Sequence, residues 1–298
     1  MPDAFPRPVD PPSKGPVQVG LLGRDIGGSL SPLIHREAAL RTGVDLTFNL
    51  LDVATEDELR PALRQAHRDG WQGLSVTMPW KRCLSPYLLG MSPDAISIGS
   101  VNLLVRADEG WIGENSDAEG FLRPLAQRRL AFSHVLLLGA GGAARAVAHV
   151  LASMPFVEQV WVQARRPEAA RELVQEFATE RACWEVLPMG QELPCAVDLL
   201  VNATPVGQDN VAPGALPCLA SYLHADLHCY ELVTHPHETA LVREARARGA
   251  SIIHGGEMLL GQARRAFSAW TGQEFPTLDL RPLLGLDDLR PISQDKRP

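Results

Sequence analysis

Two sets of residues in this chain have types and spacings that could do chemistry. The first is Gly139-Ala140-Gly141-Gly142-Ala143-Ala144-Arg145, which follows the apolar run Val135-Leu136-Leu137-Leu138 and precedes the small-residue stretch Ala146-Val147-Ala148. Strand, glycine turn and helix in that order form the G-x-G-x-x-G/A context that binds a dinucleotide. Gly139 permits the tight turn, Gly141 lets the backbone approach a pyrophosphate, and Ala144 is small enough for close helix–strand packing. The helix start adds free N–H groups for the anion. The second set is four polar islands: Ser29-Leu30-Ser31-Pro32, Ser75-Val76-Thr77-Met78-Pro79-Trp80-Lys81, Gly99-Ser100-Val101-Asn102 and Glu114-Asn115-Ser116-Asp117. Each follows a predicted strand. Their hydroxyls, amides, lysine and carboxylate suit a small, polyhydroxylated, anionic ligand, because loops at strand carboxyl ends form the binding crevice of an α/β sheet. Taken singly, each island also has a plain reading. Ser31 and Asp117 can be helix N-caps, Lys81 a surface lysine and Asn102 a turn residue.

The end of the strand after the glycine turn discriminates between cofactors. A carboxylate there takes the ribose hydroxyl of NAD, whereas an arginine accommodates the 2′-phosphate of NADP. The sequence is Gln163-Ala164-Arg165-Arg166-Pro167, with no carboxylate and two adjacent guanidiniums. Arginine pairs bidentately with phosphate and stacks on planar rings, so NADP is favoured over NAD. The competing reading is a solvated turn with Glu168 neutralising one arginine.

The elements that must position these residues alternate. Strands are predicted at Val17–Leu22, Leu46–Val53, Trp71–Thr77, Val135–Leu138, Gln159–Gln163, Trp184–Leu187, Leu199–Asn202, Ala225–Cys229 and Ser251–Ile253, with Val101–Arg106 extended. Helices are predicted at Ser31–Thr42, Asp117–Arg129, Gly142–Ser153, Pro167–Thr179, His237–Arg248 and Gly256–Thr271. Another follows the capping box Thr55/Glu58, and one opens at Pro79. Alternation of this kind implies parallel sheets with crossover helices.

The 298 residues, 45% hydrophobic and 21% charged, suit a two-domain globular protein. A net charge of −7 argues against nucleic acid as a partner. No apolar run approaches the ~20 residues of a membrane span. The proline-rich start, 1–16, has no apolar centre and is read as a flexible leader, so the expected location is the cytoplasm. Cys83, Cys183, Cys195, Cys218 and Cys229 form no C-x-x-C pair and are expected to be reduced thiols. His235/His237 and His224/His228 lack a third ligand nearby in sequence, so no metal is expected.

Together the motifs resemble the shikimate dehydrogenase family, from about Val17 to Pro276. Ser29-Leu30-Ser31-Pro32-Leu33-Ile34-His35 resembles its first loop and helix, and Val76-Thr77-Met78-Pro79-Trp80-Lys81 its V-T-x-P-x-K segment. Gly99-Ser100-Val101-Asn102 is similar to G-A-V-N, Gly113-Glu114-Asn115-Ser116-Asp117 to G-x-N-T-D, and Gly139–Arg145 to G-A-G-G-A-x-R. Val201-Asn202-Ala203-Thr204-Pro205-Val206-Gly207 resembles V-N-A-T-P-x-G, and Gly255-Gly256-Glu257-Met258-Leu259-Leu260-Gly261-Gln262 the G-x-x-M-L-x-x-Q helix.

The resemblance implies an NADP-dependent oxidoreductase interconverting 3-dehydroshikimate and shikimate, or a related cyclic hydroxy acid. Lys81 and Asp117 would be the catalytic pair. Ser29 and Ser31 would hold a carboxylate, and Thr77, Asn102, Asp117 and Gln262 the ring hydroxyls. Gly139, Ala140, Gly141, Gly142, Ala143, Ala164, Arg165, Arg166, Thr204 and Gly255 would line the cofactor. The implied fold is α/β with two domains: a discontinuous substrate domain, 17–116 plus 255–286, and a doubly wound Rossmann NADP-binding domain, 117–254, followed by a loose tail, 287–298. A monomer or homodimer is expected.

The chain departs from the family pattern at four positions. Ser75 replaces a substrate-binding Asn, Leu103 a Thr, Ala118 a Gly, and Thr234 a site tyrosine; Tyr230, four residues earlier, reaches that position only by a register shift. Altered substrate preference follows as an expectation, with quinate or an amino-substituted shikimate among the options. The alternatives are an NAD-linked quinate/shikimate enzyme and a nucleotide-binding regulator that has lost catalysis.

Overall fold

The computed structural model describes residues 6–11, 15–275 and 282–284. The expected loose tail, 287–298, lies outside the described residues, as do 1–5 and 12–14 of the leader. The chain divides into two compact units, one reaching to Asp117 and resuming at Leu260, the other spanning Ala118–Leu259.

In the first unit the elements run β1 (Val17–Gly23), α1 (Ser31–Thr42), β2 (Leu46–Asp52), α2 (Leu59–Arg68), β3 (Gly73–Val76), β4 (Gly90–Met91), α3 (Pro93–Ile98), β5 (Leu103–Ala107) and β6 (Gly110–Glu114). Helix α4 (Asp117–Gln127) opens on its last residue. The sheet order is β2-β1-β3-β5-β6-β4. Strands β1, β2 and β3 are parallel, but β5 runs antiparallel to β3, and β6 antiparallel to β5. The sheet is therefore mixed, against the parallel sheet that alternation implied. The reason is the short link between β5 and β6, Asp108-Glu109, which is too short for a crossover and closes a hairpin. Pro79 opens only a single 3₁₀ turn, Trp80–Arg82, in place of the expected helix.

Part of the leader is held rather than loose. Pro8 bridges Ala107 in antiparallel fashion, and Val9 N–H donates to Arg106 O at 2.9 Å. This satisfies backbone groups on β5.

The second unit runs β7 (His134–Leu138), α5 (Gly142–Ser153), β8 (Gln159–Gln163), α6 (Pro167–Phe177), β9 (Cys183–Val186), β10 (Leu199–Asn202), β11 (His228–Glu231), α7 (Ala240–Ala247) and β12 (Ser251–His254), then enters α8 (Gly255–Thr271). Its sheet is wholly parallel, ordered β12-β11-β10-β7-β8-β9. Numbered from β7 and read from the β9 edge this is 3-2-1-4-5-6, the doubly wound dinucleotide-binding order. Strand β11 starts three residues later than the predicted Ala225, and α7 starts at Ala240 rather than at His237. Thr239 caps α7, its hydroxyl accepting from Val242 N–H.

Helix α8 leaves the second unit and its C-terminal half packs in the first. Trp270 is 1% exposed, and its indole N–H donates to Leu104 O at 3.0 Å. A Cβ at Gly73 would overlap the Trp270 ring, so glycine there admits the indole against the sheet. His35 packs tilted against this tryptophan at 5.1 Å and stacks on Phe48 at 4.9 Å. Burial holds its pKa down to about 3, so His35 is a neutral core residue.

Candidate functional site

The polar islands of the first unit are joined by backbone hydrogen bonds before any side chain meets. Val76 N–H donates to Asn102 O at 2.7 Å, Asn102 N–H to Glu114 O at 3.1 Å, and Val101 N–H to Lys81 O at 2.8 Å. The turn carrying Lys81 is anchored by Trp80, 5% exposed, whose indole N–H donates to Val53 O at 3.2 Å. Gly23 lets the next loop close, since a Cβ there would lie 2.5 Å from Thr77 Cγ2.

On this frame Lys81 Nζ lies 2.6 Å from Asp117 Oδ2. The carboxylate is fully buried, and the lysine side chain is 15% exposed. Asn102 Nδ2 donates to the other oxygen, Asp117 Oδ1, at 2.8 Å. Asn102 is itself fixed by Ser116, whose N–H donates to Asn102 Oδ1 at 2.6 Å. Asp117 is not a helix cap. Asn115 Oδ1 accepts the Asp117 N–H at 2.9 Å, and Asn115 Nδ2 donates to Ser100 O at 2.8 Å. Asn115 and Ser116 thus complete the support, and the Glu114-Asn115-Ser116-Asp117 island was their signal in the sequence.

Ser31 is not an N-cap either. Leu30 occupies that position, and the Ser29 hydroxyl accepts Ser31 N–H at 3.2 Å. Ser75, Thr77 and Gln262 are half-buried in the first unit, and among the described residues their side chains make no hydrogen bond. Thr234 belongs to the second unit and is also half-buried. Tyr230 is wholly buried and stacks on Phe121 at 5.0 Å, so it does not take the place of the tyrosine missing at 234.

In the second unit the glycine turn leaves β7 at its junction with β10, where the strand order reverses. Gly139 has φ 109°, and a Cβ there would lie 2.9 Å from Ala203 O. Glycine is therefore dictated by the fold at this position. Gly141 differs: it is the exposed N-cap of α5, and a Cβ there meets no protein atom within 4 Å. Nothing inside the protein requires glycine at 141, which fits a ligand approaching the backbone. The turn therefore fits a dinucleotide pyrophosphate. Gly142 and Ala143 open the helix behind it, and Ala140 precedes the cap. Arg145 is committed elsewhere: it pairs with Glu176 and lies 5.3 Å over the Phe177 ring, tying α5 to α6.

Ala164 is half-buried after β8. Arg165 and Arg166 are exposed, and neither has an ion pair to Glu168 among the described residues. Arg166 is the N-cap of α6, so its guanidinium starts at a helix end that favours anions. Thr204 is held by Asn202, its hydroxyl donating to Asn202 Oδ1 at 2.6 Å. A Cβ at Gly255 would lie 2.5 Å from Leu232 O, so packing alone accounts for that glycine.

Glu231 is a buried carboxylate that sequence reading did not single out. It lies in register with Asn202. Its oxygens accept from Asn202 Nδ2 at 2.8 Å, Thr239 Oγ1 at 2.9 Å and Val233 N–H at 3.0 Å. Burial raises its pKa from 4.5 to about 7, against the opposing effect of these hydrogen bonds. The signal was available in Asn202 and Glu231 each ending a predicted or actual strand of one parallel sheet.

A parallel sheet in this order, with a glycine turn at its switch point and a separate unit bearing a buried lysine–aspartate pair, defines a two-domain α/β protein of the Rossmann class. A family model described as the shikimate dehydrogenase substrate binding domain matches residues 21–104. The chain is 35% identical over 268 residues to shikimate dehydrogenase (NADP(+)) of Chlorobaculum tepidum, covering 86% of this chain and 91% of that one. The chain belongs to the shikimate dehydrogenase family. Among solved structures, the Thermus thermophilus shikimate 5-dehydrogenase in complex with NADP(H) and shikimate superposes with TM-score 0.76 at 33% identity, covering 87% of this chain and 95% of that one. Quinate dehydrogenase from Corynebacterium glutamicum in complex with NAD gives TM-score 0.79 at 28% identity, covering 92% and 99%.

Proposed function

We propose that this protein is an NADP-dependent oxidoreductase that interconverts 3-dehydroshikimate and shikimate, with Lys81 and Asp117 as its catalytic residues. The carrying observation is the 2.6 Å contact between Lys81 Nζ and a fully buried Asp117 whose second oxygen is occupied by Asn102. A lysine–carboxylate pair with one oxygen already fixed can present its ammonium in one direction only.

The nicotinamide cofactor supplies or takes up the hydride. Lys81 donates a proton to the oxygen of the carbonyl being reduced, and recovers one from the hydroxyl in the reverse direction. Asp117 orients the ammonium, and its buried charge keeps the proton donor at hand. Asn102 keeps Asp117 in place. Ser29 and Ser31 offer neutral hydroxyls to the substrate carboxylate, while Ser75, Thr77 and Gln262 supply polar ends for the ring. Gly139–Ala143, Ala164, Thr204 and Gly255 form the cofactor side, with Arg165 and Arg166 for the 2′-phosphate. In this reading the first unit is the substrate domain, completed by the end of α8, and the second is the nucleotide domain. The five cysteines, all unpaired, are compatible with work in the cytoplasm.

NADPH consumption with 3-dehydroshikimate tests the reading. Turnover should fall by about 10²–10⁴-fold in Lys81→Ala. Nucleotide binding without turnover on any cyclic keto acid would instead support a regulator. The substitutions at Ser75 and Thr234 favour one further comparison, shikimate against quinate, each with NADP and NAD. A preference for quinate with NAD would overturn the substrate and cofactor assignment while leaving the lysine–aspartate roles intact.

A further inference from the structure

Helix α7 begins after a loop that carries His237 and Glu238, and β12 ends on His254. Sequence spacing offered His237 no third ligand; folding supplies one from seventeen positions downstream. One potential ligand atom from each of His237, Glu238 and His254 lies within 4.8 Å of the others. The two imidazoles stack with centroids 4.0 Å apart.

Both rings carry an orphaned atom. His237 Nε2 and His254 Nε2 are buried and have no hydrogen-bond partner. His254 is only 2% exposed. A buried polar atom left without a partner is costly, and two side by side call for a shared partner. A hydrogen bond between the rings cannot serve, because stacked rings direct their in-plane nitrogens alongside one another rather than toward each other.

We propose that His237, His254 and Glu238 form a binding site for a divalent cation of the zinc type. Two imidazole nitrogens and one carboxylate oxygen, with water in the fourth position, make an ordinary tetrahedral donor set for zinc. Ligation would turn the rings out of their stacked arrangement, so that both Nε2 atoms meet one ion at the ~2.0–2.1 Å that zinc requires. The charge state suits ligation: desolvation, with His237 and Arg246 nearby, pushes the pKa of His254 down to about 4, so the ring is neutral at physiological pH. Glu238 is shared. Arg246 Nη1 donates to both of its oxygens at 2.7 Å, and this pair competes with the cation. The ion would clip the loop after β11 to the end of β12. These strands lie in register, with Glu231 opposite His254, so the clip stiffens the edge of the sheet whose next strand, β10, ends on Asn202.

The test titrates zinc chloride into the metal-stripped full-length protein, following heat, thermal midpoint and, with cobalt substituted, the visible absorption of a tetrahedral site. One equivalent should bind, and the midpoint should rise. Each of His237→Asn and His254→Asn should weaken binding at least about tenfold, and Glu238→Gln, which alters a partly exposed side chain, should weaken it without affecting folding. Arg246→Gln should tighten binding by releasing the carboxylate. No saturable binding, or binding unchanged in Glu238→Gln and in the double histidine variant, overturns the site. NADPH turnover plays no part in the readout, so failure here leaves the proposed reaction untouched.

Discussion

Asp117 in the first unit and Glu231 in the second are both fully buried carboxylates, and they are stabilised in opposite ways. Asp117 has a cation 2.6 Å away and an amide on its other oxygen. Glu231 accepts only from neutral groups: an amide, a hydroxyl and backbone N–H. At Glu231 the neutral donors only partly offset burial, which leaves its pKa raised to about 7. The first arrangement suits proton handling. The second suits positioning, since Glu231 joins Asn202, and through it Thr204, to the loop that follows β11. The same division extends outward: the first unit presents a chemistry of side chains, the second a chemistry of backbone.

The sharpest way to break the contrast is Asp117→Asn. It preserves the shape and removes the counter-charge of Lys81. Reductive turnover should fall by about 10²–10⁴-fold, while NADPH affinity stays within about twofold. Comparable losses in both would mean that the pair serves the nucleotide or the fold rather than proton transfer.

Two glycines in one turn sharpen the contrast from the other side. Gly141→Ala should cost the fold only the N-cap preference for glycine over alanine, under about 1 kcal/mol, because the added methyl meets no protein atom, yet weaken NADPH binding by about tenfold. Gly139→Ala should also destabilise the fold, by roughly 1–3 kcal/mol, since φ is 109° and Ala203 O is in the way. Equal loss of stability in the two variants would show that Gly141, like Gly139, is a packing glycine.

How far the sequence could be read follows the same line. A glycine turn between strand and helix is a local requirement, so it stood out in a run of seven residues. The Lys81–Asp117 contact joins positions 36 apart, and it came only through resemblance to a family. Nothing local shows that β5 reverses against β3 and brings Asn102 between the ends of β3 and β6. The β6 half of the hairpin carried two glycines and no alternating pattern, and α3 is a helix of six residues; neither had enough length to register. His237 and His254 sit on separate elements, so their meeting depends on the parallel pairing of β11 with β12. At Gly255, which the resemblance implies as a cofactor residue, the carbonyl of Leu232 by itself requires glycine.

Arg165 and Arg166 test the one place where the backbone site calls on side-chain charge. Both are exposed and without an ion pair among the described residues, so removing them should cost the fold little. The double change to alanine should weaken NADP binding by about tenfold or somewhat more and leave NAD binding nearly unaltered, as expected for lost charge-assisted hydrogen bonds to one phosphate. Equal weakening of both nucleotides would place the arginines on a part that NAD and NADP share.

The smallest expected effect concerns Glu231 and pH. Its folded pKa, about 7, lies above the ordinary 4.5. The stability it contributes is thus fully present below about pH 4.5 and is lost as pH rises through 7, where folding must bury an ionised carboxylate that has no cation beside it. His254 acts in the reverse sense: with a folded pKa of about 4 against 6.5, its contribution is present above 6.5 and lost as pH falls through 4. Comparing Glu231→Gln with the parent chain cancels the histidine, which both contain. In urea unfolding the variant's deficit should shrink between about pH 5 and about pH 8, because glutamine keeps the shape and never ionises. A deficit that stays constant across that range would mean that neutral donors alone offset the burial of Glu231, and the distinction between a carboxylate stabilised by a cation and one stabilised by dipoles would not survive in this protein.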